Sequence, residues 1–229
     1  DLKISGGTVA NSAETFSADI GIKDGVIVAV GKQLGAADQV IDASGKLVLP
    51  GGIEAHCHIE QESSSGIMTF DDYYSGSVSA AFGGNTCFVP FAAQHRGQKL
   101  KDVLRTYHDR AAPESVIDYS FHLIISDPTE EVLADELPRA IEQGITSFKV
   151  YMTYDSLIVD DSQMLDILTV AKKHGALTMI HAENNAMIKW MSDKLVDSGH
   201  GAPKYHAPSH PRTAESEAIN RAIALASFL

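Results

Sequence analysis

The chain has 229 residues, 44% of them hydrophobic and 21% charged, with a formal net charge of −12. That composition builds a folded domain with a sizeable core. The acidic balance argues against a nucleic-acid partner, because phosphate binding needs a basic face.

Residues 1–49 read as short strands. Ile20, Ile22 and the run from Val26 to Val30 flank Lys23-Asp24-Gly25, a tight-turn signal. Val40-Ile41-Asp42 and Lys46-Leu47-Val48-Leu49 are further strand runs around Ala43-Ser44-Gly45. Nothing in this small β module has the look of chemistry.

From Pro50 the pattern alternates between strand and helix. Strands are predicted over 52–59, 85–91, 119–125, 146–152 and 176–181. One helix starts at Thr69-Phe70-Asp71-Asp72 and stops at Gly83-Gly84. Ser126-Asp127-Pro128 reads as the cap of another. A third begins near Asp161, repeats Met164, Leu165, Leu168 and Ala171 at helical spacing, and closes on Lys172, Lys173, His174 and Gly175. Repeated β-α units predict a parallel sheet. Five in succession fit the first part of an α/β barrel of the (β/α)8 type, with a doubly wound open sheet as the alternative. The barrel reading places chemistry at the C-terminal ends of the strands.

No stretch is apolar for long enough to span a bilayer, and no charged-then-apolar leader opens the sequence, so no membrane partner is expected. The cysteines, Cys57 and Cys87, form no C-x-x-C pair, which points to a reducing cytoplasm. The sequence lacks an initiator Met and stops within a helical pattern, so a longer protein is expected.

His56-Cys57-His58 ends the first barrel-type strand. Residues two apart on a strand face the same way, so both imidazoles share a side and suit one divalent cation. His181 ends the fifth strand. Alone it reads as a hydrogen-bonded core histidine, and its place at a strand end brings it toward the same mouth. Lys149 lies mid-strand in Ser147-Phe148-Lys149-Val150-Tyr151-Met152. A charged lysine there faces a large desolvation cost unless it snorkels to a rim. A neutral amine reacts with CO2, and the carbamate so formed is a carboxylate on a long stem.

The run Leu49-Pro50-Gly51-Gly52-Ile53-Glu54-Ala55-His56-Cys57-His58 resembles the first-strand motif of the amidohydrolase superfamily. The run from Gly144 to Tyr154 resembles the carbamylated-lysine strand of dihydropyrimidinases and D-hydantoinases, and His181-Ala182-Glu183-Asn184 looks like their fifth-strand histidine. The resemblance covers the whole chain. It implies the first part of a small β-sandwich at 1–49 and the first part of a hydrolase barrel at 50–229. It implies two divalent metal ions, taken as zinc, with His56 and His58 on the buried one, His181 on the exposed one, and Lys149, carbamylated by CO2, bridging both. Tyr154 would hydrogen-bond the substrate carbonyl. Its strand parity is opposite to that of Lys149, so it must project from the following loop. The implied reaction opens a cyclic amide, a dihydropyrimidine or 5-substituted hydantoin, to an N-carbamoyl amino acid. The family usually forms homotetramers. A further histidine and an aspartate of its ligand pattern would lie beyond Leu229. Glu54 departs from the pattern, which more often has Asp there.

Residues 61–70, with Ile67, Met68 and Phe70, and a second set, Tyr151, Met152 and Leu157, are candidates for contacting the substrate side group. His95, His108, His174, His200, His206 and His210 read as surface, capping or loop residues. An allantoinase is the nearest rival reading. A dihydroorotase is disfavoured, because no arginine follows closely after His58 to hold a substrate carboxylate. A non-catalytic scaffold is disfavoured by the retained ligand set.

Overall fold

A computed structural model describes residues 1–63 and 66–229. The chain forms two compact units, Asp1–Gly52 and Ile53–Leu229.

The first unit holds strands β1 (Leu2–Ala10), β2 (Thr15–Lys23), β3 (Val26–Gly31), β4 (Gln39–Asp42) and β5 (Leu47–Val48). They form one five-stranded sheet in the order β3-β2-β1-β4, with β5 also on β1. β1 is antiparallel to β2 and parallel to β4 and β5. Ala18, Ile20 and Ala43 are buried, whereas Val26, Ile27, Val28 and Val40 are exposed.

The second unit begins its alternation with β6 (Gly52–Cys57), α1 (Tyr73–Phe82), β7 (Asn85–Ala93) and α2 (Leu100–Glu114). It continues with β8 (Asp118–Tyr119), β9 (His122–Ile124), α3 (Leu137–Glu142), β10 (Ser147–Tyr151), α4 (Asp161–His174) and β11 (Leu177–His181). Helices α5 (Asn185–Asp197), α6 (His206–Ser209) and α7 (Arg212–Phe228) follow. The sheet order β11-β10-β9-β7-β6 places each strand beside its neighbour in the chain. The pairs β7–β9, β9–β10 and β10–β11 are parallel. This is the partial-barrel arc expected of successive β-α units.

Local chemistry explains the element ends. The Asp72 carboxylate accepts from Ser75 N at 2.7 Å and starts α1. Asp160 and Gln163 form a capping box on α4, and Gly175 ends that helix at φ +70 in the left-handed region glycine tolerates. In the core Phe88, Phe91, Phe121 and Phe148 are fully buried. Each such ring contributes about 1.5–3 kcal/mol by leaving water.

Two expectations need correction. The predicted 119–125 strand is interrupted, yet β8 and β9 keep one register on β7, with Asp118 opposite Cys87 and His122 opposite Phe91. The helix expected from Ser126-Asp127-Pro128 starts later, at Glu130, with Thr129 Oγ1 accepting from Val132 N, and passes through a π-helical turn, Val132–Glu136, before α3. The would-be cap is bonded elsewhere: Asp127 accepts from Gly97 N, and Ser126 bonds Gln94.

Candidate metal centre

His56 lies in β6, and His58 follows it directly. Their rings are 5.8 Å apart and both rest on Phe91, at 4.8 and 4.7 Å. The alternation of an extended strand therefore delivers both imidazoles to one side. Glu54 Oε1 accepts from His56 N at 2.9 Å and steadies that strand end. Burial lowers the His56 pKa, and the nearby Lys149, His58 and His122 lower it further while Glu54 opposes them. A less basic imidazole keeps its lone pair available to a cation.

Lys149 is buried in the middle of β10. Its Nζ stands 5.6 Å from the Phe91 ring centre and 5.4 Å from that of Tyr151. Among the described residues the amine has no hydrogen bond and no ion pair, and burial lowers its pKa. Tyr151 in turn stacks on His181 at 5.4 Å, and Tyr154 lies 5.2 Å from His181. Lys149 thus stands between two groups. His56 and His58 share the Phe91 side, and His181 shares the Tyr151 side with Tyr154.

Tyr154 projects from the loop after β10, as its parity requires. It adopts φ +69, a left-handed conformation uncommon for a residue with a side chain. Its carbonyl accepts from Leu157 N at 2.9 Å and Ile158 N at 2.8 Å, which holds that turn. Burial and the Glu183 carboxylate raise the phenol pKa, so it remains a donor at neutral pH.

Among the described residues no three His, Cys, Asp or Glu side chains come together to hold a metal ion. Lys149, which stands between the two histidine groups, is the residue that could join them into one donor set. As an ammonium it repels a cation. As a carbamate it would supply oxygen ligands, and imidazole with carboxylate oxygen suits zinc. The donor chemistry therefore fits, on condition of that modification.

The roles of three residues of this site escaped the sequence reading. His122 is buried in β9, with Nε2 2.9 Å from the Ala55 carbonyl and Nδ1 bonded to Ser147 Oγ. Its signal was the one that marked Lys149, a polar residue inside an apolar strand. Gln61 Oε1 lies 2.6 Å from His58 Nδ1, and Glu183 Oε2 lies 2.7 Å from His181 Nε2.

The candidate substrate-contacting sets separate. Tyr151 and Met152 are buried, and Leu157 packs against the core. Ile67, Met68 and Phe70 are exposed. Positions 64 and 65 of the 61–70 segment lie outside the described residues. No described helix is long and apolar enough to cross a membrane.

A profile of the amidohydrolase family matches residues 47–224. The chain is 43% identical to the D-hydantoinase of Geobacillus stearothermophilus, over 97% of its own length and 47% of that protein's. It is 38% identical to the dihydropyrimidinase of Arabidopsis thaliana, over 100% of its length and 43% of that protein's. Among solved structures it superposes on the dihydropyrimidinase from Brevibacillus agri with a TM-score of 0.95 at 40% identity, covering 99% of this chain and 50% of that one. The chain spans about half the length of the curated relatives it matches.

Proposed function

The chain belongs to the amidohydrolase family, and from that premise we propose that its site serves the hydrolysis of cyclic amides, either dihydropyrimidines or 5-substituted hydantoins. The names of its relatives, D-hydantoinase and dihydropyrimidinase, support the substrate class. The observation that carries the reading is the buried amine of Lys149, without a hydrogen bond or ion pair among the described residues, between His56 and His58 on one side and His181 on the other.

Carbamylation, together with the cations that the new carboxylate would hold, removes the burial problem. The lysine nitrogen lone pair forms a C–N bond to CO2, one C=O π bond opens to the carboxylate, and the nitrogen proton leaves to water. The lowered pKa of Lys149 favours the neutral amine this step needs. His56, His58 and the carbamate would hold one divalent cation, and the carbamate and His181 a second. Bound there as zinc, the pair would supply Lewis acidity and a lowered water pKa. The Tyr154 phenol donates to the oxygen of the ring carbonyl as negative charge develops on it. Exposed Ile67, Met68 and Phe70 offer apolar surface to the substituent of the ring. Attack of water on that carbonyl forms a C–O bond and breaks the ring C–N bond, a water proton passes to the leaving nitrogen, and the product is an N-carbamoyl amino acid. The protein is proposed to act in the cytoplasm as a homotetramer, as the family resemblance implies.

The test uses the intact protein. Mass analysis should show Lys149 heavier by one CO2, with two zinc ions per chain. Turnover of dihydrouracil, a 5-substituted hydantoin and allantoin is assayed side by side. Lys149→Ala should lose the bound metal and all turnover, with partial recovery in added acetate, which restores a carboxylate. Retention of both metals and full activity in Lys149→Ala would falsify the bridging role.

A further inference from the structure

We infer that Gln61 and Glu183 are positioning residues that settle, before a metal arrives, which nitrogen of His58 and of His181 is free to bind it. The inference rests on the metal reading above but has its own readout. An amide oxygen and a carboxylate oxygen only accept hydrogen bonds. Gln61 Oε1 lies 2.6 Å from His58 Nδ1, so that nitrogen carries the hydrogen and Nε2 keeps its lone pair. Glu183 Oε2 lies 2.7 Å from His181 Nε2, so in the neutral ring Nε2 carries the hydrogen and Nδ1 is free. The two imidazoles are thus held in opposite tautomers.

Neither acceptor hangs on a loose segment. Gln61 N donates to Thr69 Oγ1 at 3.0 Å, and Thr69 N returns a bond to Gln61 O at 3.0 Å. One residue earlier, Glu60 adopts φ +45, and Arg110 Nη1 donates to its carbonyl at 2.9 Å. On the other side, Met152 N donates to His181 O at 3.0 Å, and Asn184 N donates to Ala214 O at 3.0 Å, which fixes the backbone on both sides of Glu183. A fixed acceptor presents the metal with one ring nitrogen instead of an average over two. Loss of such a partner costs roughly 10–100-fold in metal affinity.

The test is long-range 1H–15N correlation on the metal-free, 15N-labelled intact protein, followed by Zn2+ titration against a chromophoric chelator. The expected spectra show hydrogen on Nδ1 of His58 and on Nε2 of His181. Gln61→Ala and Glu183→Ala should each mix the tautomers of their own histidine and weaken Zn2+ binding by about 10–100-fold. Gln61→Glu and Glu183→Gln keep an acceptor and should keep both the tautomer and most of the affinity. Reversed tautomers in the wild type, or alanine variants with unchanged spectra and affinity, overturn the inference. Tautomers as expected in a protein that takes up no Zn2+ would uphold the positioning and defeat the metal reading instead.

Discussion

His122 donates its Nε2 hydrogen to the carbonyl oxygen of Ala55 across 2.9 Å. Its Nδ1 then accepts from the Ser147 hydroxyl. One imidazole therefore joins the residue beside His56 to the residue two places before Lys149. Burial and the charge of Lys149 lower the His122 pKa against the opposing Ala55 bond, which keeps the ring neutral in this role. His122→Ala would leave a carbonyl and a hydroxyl without partners, at a cost of about 2–3 kcal/mol in urea unfolding. It should also weaken zinc binding, because the two ligand strands lose their spacer. His122→Gln keeps a donor toward Ala55 and should recover part of both losses. Unchanged unfolding in His122→Ala would refute the role.

Tyr154→Phe tests the proposed oxyanion donor. The phenol stands at the mouth with its pKa raised, so the wild type offers a hydrogen that Phe cannot. Turnover should fall by about 100–1000-fold with zinc content unchanged. The half-exposed ring should make the variant nearly neutral in thermal unfolding. Equal turnover in the two proteins would remove Tyr154 from the chemistry.

How far the sequence led depends on the range of the interaction. Local periodicity placed His56 and His58 together, because alternation on a strand is a two-residue property. It also set the start of α1 within the run Thr69 to Asp72, whose last residue is the cap, and the end of α4 at Gly175, where caps act within four residues. The barrel arc was legible because each β-α unit repeats the same local pattern. What stayed hidden was non-local. Ser126 and Asp127 look like a helix cap until Gln94 and Gly97 take their bonds. His122 acquires its role only when β10 pairs beside it and β6 comes within reach beyond β7. Tyr151 and Met152 looked like a mouth surface and are core, because only the packed fold shows what covers a residue.

Gly76 is the point where α1 touches the end of the His-Cys-His strand. A Cβ there would stand 2.7 Å from Ile59 Cδ1, and 3.2 and 3.3 Å from its Cγ1 and Cγ2. Ile59 is buried and directly follows His58. Gly76→Ala gains about 1 kcal/mol in helix propensity and loses about 1–3 kcal/mol to overpacking. The isoleucine tip can rotate but its branch carbons cannot clear the new methyl, so the net effect should be a loss of about 1 kcal/mol. Displacement of Ile59 should carry His58 with it and lower zinc affinity. A more stable Gly76→Ala protein with unaltered zinc binding would show that Ile59 yields freely.

Glu217 on α7 accepts from the Asn184 carboxamide at 2.6 Å and from Arg221 Nε at 3.0 Å. Arg221 continues to Asp161 at 2.8 Å, so α7 is tied both to the segment after His181 and to the start of α4. The Asn184 bond first, and then Arg221, hold the Glu217 carboxyl below its ordinary value of 4.5 against the opposing effect of burial. A carboxyl depressed in the folded state binds fewer protons folded than unfolded, so its contribution is complete above 4.5 and disappears as the pH falls through the lowered value. Solvent screening limits that contribution to about 1 kcal/mol. Glu217→Ala should therefore unfold at lower urea than the wild type at neutral pH, and the gap should narrow as the solution is acidified through this range. A gap that stays constant across the titration would mean that the glutamate acts through packing, with its charge irrelevant.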